Sequence, residues 1–371
     1  MWNSNAAEIT LAEIEKLGRD NVCFVDIRSG IAYEHGHIPD ALHLRELSED
    51  TLRILPKDKL LIVYCSIGEK SRDVVKRLIA EGYHAVSMSG GFRAWLIEAY
   101  SELSREEVSR YDRQMILPEV GTDGQKKLKN ASVLIVGAGG LGSPAALYLA
   151  AAGVGRIGIA DADRVNISNL HRQIIHSNNT VGANKAESAG AGMRRINDSI
   201  TVETYPYFIT AENISSIIET YDFVIDAADN FETKFLINDA CVLAKKPFCH
   251  AGILRFEGQV MTYVPGNYPC YRCIFEDIPD AGSIPNCGQA GIMGALAGIV
   301  GCIQALEALK YILDIGELLV GKMLIIDGLV MKFRIAVFRR KSPSCRVCGD
   351  KKDIFDVKAN ASEYERTACM L

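Results

Sequence analysis

The sequence has 371 residues and a mass of 40.6 kDa, enough for two domains or one large one. Its 48% hydrophobic and 23% charged residues exclude general disorder. A net charge of -5, from 41 basic and 46 acidic side chains, offers no basic excess for a nucleic-acid groove, so no direct nucleic-acid partner is expected.

The first ten residues (MWNSNAAEIT) lack the basic start and apolar core of a signal peptide. No uncharged apolar run reaches the roughly 20 residues of a membrane span. Residues 290–309, rich in Gly and Ala and running into EALK at 307–310, read as a buried helix. A cytoplasmic protein without a membrane partner is expected. There, eleven cysteines point to metal binding or thiol chemistry in preference to a disulfide framework.

In chain order, residues 23–27 (CFVDI) and 60–64 (LLIVY) are short apolar runs bounded by polar residues, which predicts buried strands. Residues 71–81 predict a helix with Val74, Val75, Leu78 and Ile79 on one face. This alternation implies a small α/β domain over residues 1–103. The polar stretch 101–110 leads into a second domain, residues 104–371. That domain opens with a strand (131–136), a glycine turn (137–142), an Ala-rich helix (143–152) and a strand (156–160). Further strands are predicted at 221–228 and from 259 to 264, and the order implies a parallel sheet. Residues 350–371 are polar, with little periodicity, and are expected to be mobile.

Cys65 follows a predicted strand and precedes Ser66-Ile67-Gly68-Glu69-Lys70-Ser71. Backbone N–H groups converging at such a helix start favour thiolate, and Lys70 adds positive charge. A nucleophilic thiolate, a persulfide carrier and a structural cysteine all remain open on this pattern alone.

Gly137-Ala138-Gly139-Gly140-Leu141-Gly142 satisfies GxGxxG between a strand and a helix, a pattern that admits close phosphate approach to a helix N-terminus. Asp161 ends the next strand, where an acid can hold ribose hydroxyls. This much serves a nicotinamide, a flavin or ATP. Asn169, Arg172 and Lys185 add groups able to neutralise a triphosphate, and Asp229 is a candidate Mg²⁺ ligand. Cys270-x-x-Cys273 and Cys345-x-x-Cys348 form two pairs suited to a structural zinc site. Cys287 lies in a predicted loop before the Gly/Ala-rich helix, whose start can lower its pKa. Cys23, Cys241, Cys249 and Cys302 read as core residues, and Cys369 has no assigned role.

Two resemblances sharpen this reading. The first domain resembles a rhodanese through Asp26-Ile27-Arg28, the stretch 33–41 (YEHGHIPDA), the Cys65–Ser71 loop and residues 89–95 (SGGFRAW). The resemblance implies sulfane sulfur carried on Cys65, a buried ion pair for Arg28, and structural roles for His35 and His37. Lys70 stands where many relatives have arginine. The second domain resembles the adenylating enzymes that activate ubiquitin-like sulfur-carrier proteins in molybdopterin and thiamine biosynthesis. The match runs through Arg110-Tyr111-Asp112-Arg113-Gln114, the glycine loop, Asp161-Ala162-Asp163, residues 168–173 (SNLHRQ), Lys185 and residues 226–230 (DAADN).

This resemblance implies a Rossmann-like adenylating domain with a predominantly parallel sheet. It puts Gly140, in the nucleotide-binding loop with Gly137, Gly139 and Gly142, against the phosphates, Asp161 on ribose, Asn169, Arg172 and Lys185 on the triphosphate, and Asp229 on Mg²⁺. Arg113 matches an arginine that reaches the ATP site from a partner subunit, which implies a homodimer. Cys287 matches a cysteine that attacks or links to the activated carrier. The implied reaction adenylates the Gly-Gly carboxylate of a β-grasp carrier and then transfers sulfur toward a thiocarboxylate, with a cysteine desulfurase or small-molecule sulfane sulfur as donor. The domain order departs from the fused relatives, in which the rhodanese-like domain comes last. An oxidoreductase using the glycine loop and a non-catalytic carrier-binding scaffold are the competing function classes.

Overall fold

The computed structural model describes residues 8–34, 36–99, 103–279 and 290–365. The chain divides into two compact units, Met1–Lys126 and Lys127–Leu371. That division falls beyond the boundary at 103/104 drawn from the sequence. Two helices, α6 (Arg105–Met115) and α7 (Gly121–Asn130), therefore lie at or before the break, α7 spanning it.

The first unit holds a five-stranded parallel sheet in the order β1-β5-β4-β2-β3. Its strands are β1 (Glu8–Ile9), β2 (Val22–Asp26), β3 (Leu42–His43), β4 (Leu60–Tyr64) and β5 (Ala85–Met88). Central β4 is LLIVY, buried at every position, as a strand with helices on both faces requires. Two apolar clusters form around it. One gathers Val25, Leu61, Val63, Val75 and Leu78; the other gathers Ile38, Leu60, Ile62, Tyr64 and Met88. The helices of this unit are α1 (Leu11–Leu17), α2 (Gly30–Glu34), α3 (Glu49–Arg53), α4 (Glu69–Ala80) and α5 (Gly91–Ala99), besides α6. Helix α4 starts two residues before the expected position. It buries Ser71, Val75 and Leu78, while Ile79 is 53% exposed and off the core face. A capping box between Ser104 and Glu107 starts α6.

The second unit is built on an eight-stranded sheet in the order β13-β12-β11-β10-β9-β6-β7-β8. The strands β6 (Ser132–Val136), β7 (Arg156–Ala160), β8 (Thr201–Tyr205), β9 (Phe223–Asp226) and β10 (Phe248–Leu254) run parallel. An antiparallel extension of β11 (Glu257–Tyr263), β12 (Lys322–Asp327) and β13 (Lys332–Val337) completes it. The parallel half agrees with the expected sheet. Of the extension, β11 lies over the strand expected from 259; β12 and β13 were not foreseen, because β12 buries only two of its six residues and β13 is exposed along nearly its whole length.

The parallel half carries α8 (Gly142–Ala152), α9 (Lys185–Ile196), α10 (Ile214–Ile218) and α11 (Phe231–Leu243). A short α12 (Tyr271–Ile274) and a 20-residue α13 (Gly294–Leu313) follow. By length and composition α13 could cross a membrane, yet it packs on α8, β10 and β11 and buries half of its apolar window. Ala297, Gly301, Gln304 and Ala308 form the buried stripe, with the spacing of one helix face. At Gly301 a β-carbon would run into the Leu141 carbonyl and stand 2.6 Å from Pro144, so a bare backbone is what lets α13 approach α8.

Residues 350–365 are not loose. Ile354, Val357 and Tyr364 are buried in the main apolar cluster of the second unit.

Candidate functional sites

Cys65 sits where β4 ends, in a loop that closes into α4. Gly68 adopts φ +88° and Gly91 φ +59°, the left-handed region that favours glycine. A β-carbon on Gly91 would overlap the Cys65 carbonyl and stand 2.6 Å from the Gly68 nitrogen. The loop is pinned from behind by Phe92 N–H donating to Cys65 O (2.8 Å) and Arg93 N–H to Ser66 O (3.1 Å). The Gly68 N–H donates to Cys65 Sγ at 3.1 Å, and the Ser71 hydroxyl lies 3.6 Å from it. Ser87 Oγ supports Ser71 Oγ at 2.8 Å.

Burial pushes the Cys65 thiol up. The Ser71 hydroxyl, the Ser71 N–H and the amides of Ile67 and Gly68 outweigh it, and the thiol lies below the ordinary range. Lys70, expected to help, faces solvent. Ser71 was not singled out, because its role depends on where the helix begins.

Arg28 forms the expected buried pair, 2.6 Å from Asp26, and its guanidinium lies 3.7 Å over the Phe92 ring. His37 stacks on Tyr33. His35 lies outside the described residues.

Replacing Ser71 with alanine removes a donor that favours thiolate. The pH of half-maximal Cys65 alkylation is expected to rise and the rate at neutral pH to fall several-fold, measured by iodoacetamide labelling across pH.

In the second unit, register assembles the glycine-loop site. Val136 of β6 pairs with Ala160 of β7 on one side and with Asp226 of β9 on the other. The residues that follow, Gly137, Asp161 and Ala227, therefore emerge along one edge of the sheet. This is the carboxyl edge at the point where strand order reverses, the place where parallel sheets bind ligands.

Gly137 takes φ +106°, and a β-carbon there would stand 2.5 Å from the Ala227 carbonyl oxygen. Gly142 has no room for one against Gly137 O. At Gly140 a β-carbon would meet the Arg172 side chain at 3.5 Å, and at Gly139 it would meet Gln173 at 3.6 Å. Arg172 and Gln173 thus border the loop, and Asn169 lies one turn before them, its carbonyl accepting from both of their N–H groups. Arg172 also donates to Ser168 O and lies 2.7 Å from His171 Nε2.

Asp161 accepts from Ala138 N–H (2.8 Å) and Asp163 N–H (2.9 Å). Burial raises its pKa, which the Lys185 charge and these two amides only partly offset. Each oxygen keeps a lone pair for a further donor. Lys185, buried at the start of α9, is held 2.9 Å from Asp163. Asp229 is exposed, two residues beyond Ala227.

Two buried polar atoms beside the loop, Ser143 Oγ and Gln173 Oε1, have no partner among the described residues, which suits a polar ligand. His176 escaped sequence reading. Its Nε2 donates to Ala138 O (3.0 Å) and its Nδ1 accepts from Ser188 (2.9 Å), fixing the loop from behind. Burial lowers its pKa, so it acts neutral. Its partner in the loop is 38 residues away, and no local pattern announces such a contact. Arg113 lies on α6 in the first unit. Cys287 lies outside the described residues, as does Cys369.

Cys270, Cys273, Cys345 and Cys348 converge, with all four sulfurs within 4.8 Å of one another. Separations of 3.4 Å, 3.5 Å, 3.6 Å and 3.9 Å bracket the ~3.8 Å edge of a tetrahedron with metal–sulfur bonds of about 2.3 Å. The four cysteines fit a metal ion.

An arginine inside each pair extends the cluster. Arg272, 1% exposed, binds Asp239 at 2.8 Å and Glu363 at 3.4 Å. Arg346 binds Glu363 at 2.7 Å and Asp353 at 2.9 Å. Tyr364 donates to Asp239 at 2.7 Å. These contacts tie residues 353–365 to the cysteine cluster, and they explain why a polar segment is ordered. The expected core cysteines Cys241 and Cys249 are buried, while Cys23 and Cys302 are half-buried.

Comparison with known proteins agrees with this geometry. The ThiF family model matches residues 111–347, and the Rhodanese-like domain model matches residues 10–98. "Adenylyltransferase and sulfurtransferase MOCS3" of Anopheles gambiae is 48% identical over 250 residues, 67% of this chain and 57% of that protein. The chain thus spans a little over half the length of such relatives. "Sulfur carrier protein adenylyltransferase" of Thermus thermophilus is 47% identical over 264 residues, 69% of this chain and 97% of that protein. The structure of E. coli MccB with ATP superposes with a TM-score of 0.55 at 27% identity, covering 65% of this chain and 73% of that one.

Proposed function

Because the chain belongs to the ThiF family and carries a rhodanese-like domain ahead of the family's core, we propose that it adenylates the C-terminal Gly-Gly carboxylate of a ubiquitin-like sulfur carrier and delivers sulfur to it. The observation that carries this reading is the joint presence of two sites. A cradled cysteine with a lowered pKa stands in one unit, and in the other a glycine loop is bordered by Asp161 and Arg172, with Lys185 held by Asp163 two residues beyond Asp161.

In the first step a carboxylate oxygen of the carrier attacks the α-phosphorus of ATP. The bond from that phosphorus to the bridging oxygen breaks, and pyrophosphate leaves. The glycine-loop amides and the Arg172 and Lys185 cations stabilise the charge that develops on the departing phosphates. Asp161 holds the ribose hydroxyls, and Asp229 is the residue to bind Mg²⁺. No protein base is needed, since the carboxylate is ionised at neutral pH.

In the second step the terminal sulfur of a Cys65 persulfide attacks the acyl carbon and AMP leaves. The resulting acyl disulfide is opened by the Cys287 thiolate. This releases the thiocarboxylate and leaves a disulfide that an external dithiol must reduce. A cysteine desulfurase or a small-molecule persulfide recharges Cys65.

A protein substrate is supported by the sheet edge, where Phe333, Ile335 and Val337 of β13 are 49%, 57% and 58% exposed, an apolar row suited to a macromolecular partner. Arg113 is assigned to the nucleotide site of a second copy, so the working enzyme is proposed to be a homodimer. A cytoplasmic location is proposed from the cysteines, which form no disulfide among the described residues.

Zinc is proposed for the cysteine cluster, where it would join the CxxC pairs and supply stability without catalysis. Mercurial titration of the four thiols is expected to release one zinc ion per chain. Chelation of that ion is expected to lower the melting temperature and expose residues 353–365 to proteolysis. Unchanged melting of metal-free protein would refute a structural role.

The test of the whole reading is mass spectrometry of a Gly-Gly carrier incubated with the protein, ATP, Mg²⁺ and a sulfur donor. Carrier–AMP and then carrier thiocarboxylate are expected. A carrier whose mass never changes would overturn it.

A further inference from the structure

Behind the Asp229 loop lies a charged group that the steps above do not use. Asp226, the last residue of β9, is wholly buried; Lys234 of α11 is 7% exposed and His250 of β10 is 1% exposed. Asp226 Oδ1 accepts from Ala228 N–H at 3.1 Å. Its Oδ2 accepts from His250 Nδ1 at 2.7 Å. Lys234 Nζ lies 3.4 Å from both oxygens and donates to Ala251 O at 2.7 Å. The Asp226 backbone oxygen is held in turn by Gln304 Nε2 at 2.7 Å.

These bonds fix one short piece of chain. The ion pair joins Asp226 to Lys234 across the loop that contains Asp229, so both ends of that loop are tied together. The Ala227–Ala228 peptide, gripped through Ala228 N–H, is also the wall against which Gly137 folds, with 2.5 Å between Ala227 O and the place a β-carbon would take. One buried carboxylate therefore sets both the floor of the glycine turn and the position of Asp229.

We infer that Asp226, oriented by Lys234 and His250, is a positioning residue for the Mg²⁺–nucleotide site. It touches neither substrate nor metal. It acts by holding the Ala228 amide, and through it the glycine loop and Asp229. The inference deepens the adenylation reading and rests on it.

Two charge-neutral double variants of the full-length protein isolate the effect. In D226N/K234M the Asn oxygen still accepts from Ala228 N–H, and His250 accommodates the amide by changing tautomer. In D226A/K234M that acceptor is gone. Neither leaves a buried unpaired charge, which is the reason for not using the single variants. The Kd for MgATP, measured by titration calorimetry, is expected to stay within about threefold of wild type in D226N/K234M. In D226A/K234M it is expected to rise about 10- to 100-fold, the usual cost of losing an outer-shell partner of a metal site.

A purely structural role would lower the melting temperature of both variants and leave their MgATP affinities alike. Equal Kd values in the two variants would overturn the inference while leaving adenylation intact. Wild-type protein that does not bind MgATP at all would overturn the adenylation reading and this inference with it.

Discussion

Replacing Cys65 with alanine is expected to reduce rhodanese-dependent thiocarboxylate formation by at least about 10³-fold, because the sulfur-bearing nucleophile itself is removed. Carrier-dependent exchange of pyrophosphate into ATP should stay within about twofold of wild type. The reasoning is local. Every group that lowers the Cys65 thiol, from Ser71 to the amides of Ile67 and Gly68, belongs to the first unit. The change shortens a side chain without disturbing the loop, whose shape is set by Gly68, Gly91 and the backbone bonds to Phe92 and Arg93. The stability cost is small, since the site loses one sulfur atom and no buried charge. Thiocarboxylate formed at the wild-type rate, with a rhodanese sulfur donor as the sole source, would break the proposed coupling between the two units.

Replacing Lys185 with methionine should produce the mirror image. Carrier-dependent pyrophosphate exchange is expected to fall about 10²- to 10³-fold, the scale for losing one preorganised charge at a phosphate transition state. Persulfide loading of Cys65 should be unaffected. Lys185 is buried at the start of α9 and held at 2.9 Å by Asp163, so its ammonium is positioned before any ligand arrives. Methionine matches its length and apolar stem, which keeps the packing of α9 and confines the effect to charge. Exposed Asp163 loses its partner but remains solvated, so the melting temperature should move little. Exchange at the wild-type rate would remove Lys185 from the site and weaken the assignment of the triphosphate to this edge.

Several elements were legible because each is decided by nearby residues. LLIVY forms β4 over the expected residues, and RIGIA forms β7, since an apolar run flanked by turn residues has few alternatives. The helix after Cys65 was legible, but its first turn and outer face were not. Gly68, in the left-handed region, admits Glu69 as the first helical residue, and the core face runs through Ser71, Val75 and Leu78, leaving Ile79 toward solvent. The cysteine pairs were legible as a cluster able to hold a metal because CxxC spacing reflects the geometry of a metal knuckle. The arginines inside them were not, because their partners Asp239 and Glu363 lie 33 and 91 residues from Arg272. Residues 350–365 looked mobile for the same reason. Their order comes from Arg272, Arg346 and a core they do not themselves form.

By itself the sequence determined which chemical groups the protein possesses: a cysteine in a tight loop, a glycine turn after a strand, two CxxC pairs, and the cations and acids suited to a nucleotide. Those are properties of residue type and short spacing. Only the tertiary structure decided which groups meet. The register of β6 with β7 and β9 aligns Gly137, Asp161 and Ala227 on one edge. Burial makes Asp226 seek Lys234 and His250, and it leaves His176 neutral beneath Ala138. The physical reason is that strand pairing and desolvation act between segments distant in the chain. A buried carboxylate or imidazole must find its partner wherever the fold brings one within hydrogen-bond reach.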